Sequence, residues 1–182
     1  MDPVYFKRQL AINRDRIAAL ARGIPEEQAR WKPDPESWSI LEVVNHLADE
    51  EELDFPVRLK TILEKSEKPW PPIDPEVWVI EGQYNEQDLH ESLTRYMTLR
   101  NENLGWLDSV ENPDWDTVYE APFGEIKAGD MFVSWVIHDL IHLRQLVDLQ
   151  SLYLEEIAKP FRLDYAGYGG IPESEPAEIE TD

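Results

Sequence analysis

Ser39-Ile40-Leu41-Glu42-Val43-Val44-Asn45-His46-Leu47-Ala48 is the stretch whose reading decides the fold class. A serine followed three residues later by glutamate, at the edge of an apolar run, is the pattern of a capping box. The hydroxyl and the carboxylate each satisfy a backbone donor that the first helical turn leaves orphaned. Apolar periodicity then continues to about Leu63, so the spacing predicts one long helix. Pro56 lies inside it, lacks an N–H and crowds the preceding turn, which predicts a kink near Leu53. His46 falls on an inward stripe with Val43, Glu50 and Leu53.

Working outward, residues 3–22 carry Val4, Phe6, Leu10, Ile17 and Leu20 among charged side chains, and Gly23 supplies a stop. The proline-rich connection from Ile24 to Ser37 carries Trp31, with Trp38 just beyond, as anchors. Asn85-Glu86-Gln87-Asp88 opens a third helix with the stripe Leu89, Leu93, Tyr96, Leu104 and Leu107. Before it, Ser66 to Tyr84 is long for a helix connection, a length associated with functional loops or a site's rim. After Asn112-Pro113 comes a short extended stretch. A fourth helix then runs from about Ala128 to Leu152 on Met131, Trp135, His138, His142 and Leu149, followed by a short helix over Leu154 to Lys159. Four amphipathic segments with almost no strand pattern give an all-α fold, a four-helix bundle with long inter-helix loops. Residues 1–170 form one domain, and 171–182 are an acidic tail with little to bury, expected to be disordered.

The composition narrows the function. With 17 basic against 38 acidic side chains, a formal charge of −21, the surface repels phosphate backbones and anionic lipid, so nucleic acid and membranes are not expected partners. No run approaches the roughly 18 apolar residues of a membrane helix, and the first residues lack the pattern of a signal peptide. There is no cysteine, hence no thiolate ligand or thiol nucleophile. A cytoplasmic location is the expectation.

Two of the four histidines stand in His138-Asp139-Leu140-Ile141-His142. At i and i+4 on a helix, two imidazoles share a face and can converge on one cation. Packing alone would explain such a pair equally well. His46, inward-facing on another helix, shifts the balance, because imidazole is a poor core filler unless its nitrogens find partners. Three histidines leave coordination positions open, as catalytic rather than structural zinc sites do. His90, among polar neighbours, is expected to face solvent. Asp139 reads as a charge on the outer edge of its helix, with an orienting role toward a histidine as the alternative. The pentapeptide imitates the zinc-protease pattern H-E-x-x-H, but the metzincin continuation fails at Gln145 and Asp148. A carboxylate-bridged di-iron bundle needs Glu three residues before histidine, and Val43, Gln87, Trp135 and Asp139 stand there instead.

Trp31-Lys32-Pro33 with Glu36-Ser37-Trp38-Ser39-Ile40-Leu41-Glu42-Val43-Val44-Asn45-His46-Leu47-Ala48-Asp49-Glu50-Glu51, Asp74-Pro75-Glu76-Val77-Trp78 with Tyr84, and His138-Asp139-Leu140-Ile141-His142-Leu143-Arg144-Gln145-Leu146 together resemble the DinB-like superfamily. The resemblance extends to about residue 165. It implies an up-up-down-down type bundle and a divalent metal on His46, His138 and His142. Zinc or nickel come first, with iron or manganese as further ions. It also implies a metal-dependent transferase or isomerase acting on a small-molecule substrate with a low-molecular-weight thiol, and a homodimer through exposed helix faces. The reading that follows is activation of a thiol or water at the metal, with Glu50, one turn beyond His46, as base or hydrogen-bond partner. A metal-dependent hydrolase and a non-catalytic metal or small-molecule binding protein are the alternatives. Trp135, Trp78 and Tyr84 are either pocket walls or core.

Overall fold

Three of the long helices begin where the sequence supplies a side-chain cap. Asp2 accepts from the backbone N–H groups of Val4 and Tyr5 to start α1 (Pro3–Ala21), and Gly23, at φ +78°, turns the chain away after it. The connection that follows contains a five-residue helix, α2 (Glu26–Arg30). Ser39 and Glu42 form the expected reciprocal capping box at α3 (Ile40–Asp49). The Glu42 carboxylate also receives Lys32 at 2.7 Å. α5 (Pro75–Glu81) lies in the long loop, Asp88 caps α6 (Leu89–Ser109), and a hairpin of β1 (Val118–Ala121) and β2 (Gly124–Lys127) leads into α7 (Ala128–Ala158). The extended stretch is thus a two-stranded sheet, and the short helix expected after Leu152 is the continuation of α7. The computed structural model describes residues 1–167, so the tail expected over 171–182 lies outside the described residues.

Pro56 has the predicted effect in a specific form. Between α3 and α4 (Phe55–Leu63) the chain makes a π-helical turn over Glu50–Asp54. Widening the turn removes the clash between the proline ring and the carbonyl four residues back without breaking the helix. The same widening changes which residues face inward. Leu53, expected inside, is 41% exposed, while Glu50, Glu51 and Asp54 are buried.

The helix directions follow from their contacts. Phe6 meets Phe132, Asn13 meets Asp139 and Gln150 bonds Leu20, so α1 and α7 run parallel. Arg95 pairs with Asp49 and Arg100 with Glu51, so α6 runs parallel to the α3–α4 helix. Lys7–Asp108 and Arg14–Asn101 make α1 antiparallel to α6. His46–His142 and Glu51–Trp135 do the same for α3 and α7. The order is therefore up-down-down-up, which corrects the up-up-down-down arrangement. It also explains the long loop: between parallel neighbours the chain must travel back along a helix of roughly 36 Å, and residues 64–88, with α5, make that return.

The apolar core is two clusters, one built on Ile17, Leu41, Val44, Leu47, Tyr96 and Leu146, the other on Leu10, Leu59, Ile62, Phe132 and Trp135. Between them lies a buried polar layer. Arg100, fully buried, places one guanidinium nitrogen 2.8 Å from Asp139 and 3.0 Å from the Leu10 carbonyl. The other lies 2.7 Å from both Glu51 and Asp139. Asn13 donates to Asp139, and Asn103 and the Trp135 indole donate to Glu51. Asp139 is therefore not an outer charge, because it sits where α1, α6 and α7 meet.

Removing one partner of a buried pair leaves the others charged and unsolvated. Arg100→Met is expected to lower stability by about 3–5 kcal/mol. Arg95→Met, whose pairs with Asp49 and Glu52 are half exposed, costs about 1 kcal/mol or less. Urea midpoints of the two variants check the contrast.

Candidate metal centre

The antiparallel contact of α3 with α7 brings His46 against His138 and His142, the latter two one turn apart on α7. His46 Nε2 lies 3.1 Å from His142 Nε2, which lies 3.2 Å from His138 Nε2. One nitrogen from each ring falls within 4.8 Å of the other two. On His142, Nδ1 lies 2.7 Å from Gln145 Oε1. That oxygen can only accept, so the proton sits on Nδ1 and Nε2 presents a lone pair to the other two rings. Either neighbour can donate to that lone pair through a protonated Nε2, and with all three Nε2 atoms unprotonated the lone pairs converge, an arrangement a shared cation stabilises. Nitrogens sharing one ion at about 2.0–2.1 Å stand roughly 3.0–3.4 Å apart, the spacing of the two pairs that His142 makes, at 3.1 and 3.2 Å. The donor set fits a divalent transition-metal ion.

Burial governs the electrostatics. His46 is pushed down to about 2, first by burial and then by His142 and His138. His138 is pushed down to about 3 by burial, His142 and Arg100. His142 is lowered by burial, with Gln145 and Asp139 acting the other way. All three rings are neutral at pH 7, the form that ligates. Aromatic rings flank them: Trp38 lies 4.9 Å from His46 and stacks nearly parallel to His142, while Phe55 lies 5.0 Å from His138.

Glu50 is buried at the first position of the π turn, its Oε1 3.7 Å from His46 Nδ1, which has no other protein partner. Burial raises its carboxyl far above the usual range, and the neighbouring Asp54 carboxylate raises it further. Burial likewise raises Asp54, against the pull of Arg58.

The structure thus brings together the four residues singled out from the sequence, His46, His138, His142 and Glu50. His90 is exposed on α6, away from them. The aromatic candidates fall elsewhere: Tyr84 and Trp135 are core residues, and Trp78 is on α5. Sequence reasoning missed Gln145, Trp38 and Phe55 as neighbours of the rings. Gln145 carried a readable signal, three residues after His142 on the same helix face; Trp38 and Phe55 carried none, since a loop and the π turn position them.

A family model described as the DinB superfamily matches residues 9–146. No curated protein matches the chain. Among solved structures, YfiT from Bacillus subtilis, described as a probable metal-dependent hydrolase with an unusual four-helix bundle topology, is similar in fold. It has a TM-score of 0.72 and 17% identity, over 82% of this chain and 86% of that one.

The depressed histidines make a pH prediction for the metal-free chain. Between about pH 6.5 and 3 the unfolded chain binds protons on these rings that the folded chain does not, so the rings' contribution to stability rises with pH there and falls on acidification, while the raised Glu50 and Asp54 carboxyls contribute in the opposite sense above about pH 4.5. From pH 6.5 to 4.5 the loss is up to about 2–3 kcal/mol per ring. His46→Gln/His138→Gln is expected to flatten that slope, read from urea midpoints at successive pH values.

Proposed function

The chain belongs to the DinB superfamily, and on that premise we propose that it is a metal-dependent enzyme in which His46, His138 and His142 hold a divalent cation beside a small-molecule substrate. The observation that carries this reading is the convergence of three Nε2 atoms on neutral rings. A three-nitrogen set leaves positions for reactants, so it suits chemistry better than scaffolding. When bound, the cation supplies Lewis acidity, lowering the pKa of a thiol or a water molecule toward neutrality. The description of YfiT as a probable metal-dependent hydrolase supports water as the nucleophile; the family resemblance supports a thiol.

The chain's own residues supply the rest. Gln145 holds the His142 tautomer that leaves Nε2 free. Trp38 and Phe55 cover the rings and exclude bulk solvent from two sides. Glu50 is the proposed acid–base group: with its carboxyl raised far above the usual range by burial, it holds a proton near neutrality in the metal-free chain, and a cation beside His46 would lower its proton affinity and let it act as acceptor. It stands on the Nδ1 side of His46, where it also orients that ring.

Titration of the chelator-treated protein with zinc or nickel is expected to saturate at one ion per chain. At a hundredfold excess over Kd the bundle gains about 2.7 kcal/mol of stability. His142→Ala loses that gain while keeping its helical circular dichroism; saturation unchanged in this variant would remove the proposed site.

Glu50→Gln is expected to retain the ion and lose about 10²- to 10⁴-fold in turnover. The assay pairs glutathione, bacillithiol or mycothiol with an electrophile, and in parallel tests esters and amides for hydrolysis. A metal-loaded chain inactive on all of them would favour the binding-protein reading.

A further inference from the structure

One cleft, of about 440 Å³, reaches the three-histidine cluster from outside through His142. That volume suits a molecule of small-metabolite size. Its floor is apolar, formed by Trp38 with Leu149 and Leu152, and Gln145 stands beside His142 within it. Its charged lining residues are both acidic, Glu36 and Asp148, and no lysine or arginine lines it. Glu36 has no cationic partner among the described residues, and Asp148 has only Arg144 at 3.6 Å, a pair in which both side chains are largely exposed. Such a pair contributes little and yields readily to a competing cation.

We propose that this cleft selects a substrate with an apolar body and a protonated amine, the body lying on Trp38 and the ammonium held by Glu36 and Asp148. Three properties of the cleft favour that ligand. The half-buried indole offers its apolar surface to the body, and its electron-rich face favours a cation nearby over an anion. Two carboxylates in the cleft lining raise the local concentration of cations and repel anions. A chain carrying −21 overall has no compensating field to draw a polyanion in. The inference rests on the three-histidine reading for its chemistry: within the thiol branch it selects an aminothiol over a polycarboxylated thiol, and within the hydrolytic branch an amine-bearing ester or amide.

The test separates the cleft from the metal by using the metal-free chain, since a bound cation would itself attract carboxylates. The probes are 2-phenylethylamine and 3-phenylpropanoate, alike in shape and opposite in charge. The readout is the Trp38 indole N–H resonance, assigned by its loss in Trp38→Phe. The amine is expected to shift that resonance and to bind roughly tenfold tighter than the carboxylate, with the preference shrinking as ionic strength rises. Glu36→Gln/Asp148→Asn is expected to bring the two probes level. Equal binding in the unmodified chain, binding of neither probe, or a preference that survives the double substitution would overturn the proposal. Each of those results leaves the metal titration to stand or fall by itself.

Discussion

The Arg100 guanidinium, buried at the centre of the bundle between Glu51 and Asp139, is the interaction on which the rest depends. It touches α7 through Asp139, the π turn through Glu51 and α1 through the Leu10 carbonyl, so one side chain on α6 is bonded to all three other long helices. Apolar side chains tolerate sliding and repacking; a guanidinium fork matched to two carboxylates does not. Rotating any helix by one residue would leave a buried charge unpaired. The layer therefore sets helix register, and the register sets the centre: Asp139 is the neighbour of His138, and Glu51 the neighbour of Glu50.

Pro56 makes those two assignments compatible. On a regular helix, successive glutamates diverge by about 100°, and one inward position in that stretch would fall to Leu53. The π turn redistributes the residues so that Glu50 faces His46 while Glu51 reaches Arg100 and Trp135. Leu53 is displaced to the surface as a result. A residue missing its N–H thus reaches the site through the backbone, nearly three turns away from the ring it affects.

Most of the fold was legible because its determinants are local. The start signals at Ser39 and Asn85–Asp88 and the apolar periods that follow them are written within a few residues of where they act. The three histidines were legible because their positions on inward stripes conflict with what a core tolerates. Arg100 obeyed the same logic unnoticed: it stands between Tyr96 and Leu104 on the apolar stripe of α6, as Asn13 stands between Leu10 and Ile17 on α1. A charge on a buried stripe demands partners, and reading Asp139 as an outer residue concealed one of them. The chain directions were not legible, since parallel and antiparallel bundles present the same amphipathic faces. The length of the 64–88 connection was the available clue.

The polar layer and the histidine cluster also constrain each other electrically. One guanidinium against two carboxylates leaves the layer with a net negative charge, yet Arg100 is close enough to His138 to lower that ring's proton affinity. The imidazoles are thus kept neutral by burial and, at His138, by the nearby guanidinium, while Asp139 draws a positive charge toward His142, whether proton or metal ion. Two apolar clusters packed directly against each other would make a more ordinary core, but they would supply neither effect. The site stands at the level where the core is interrupted because that is where charge can be held in register.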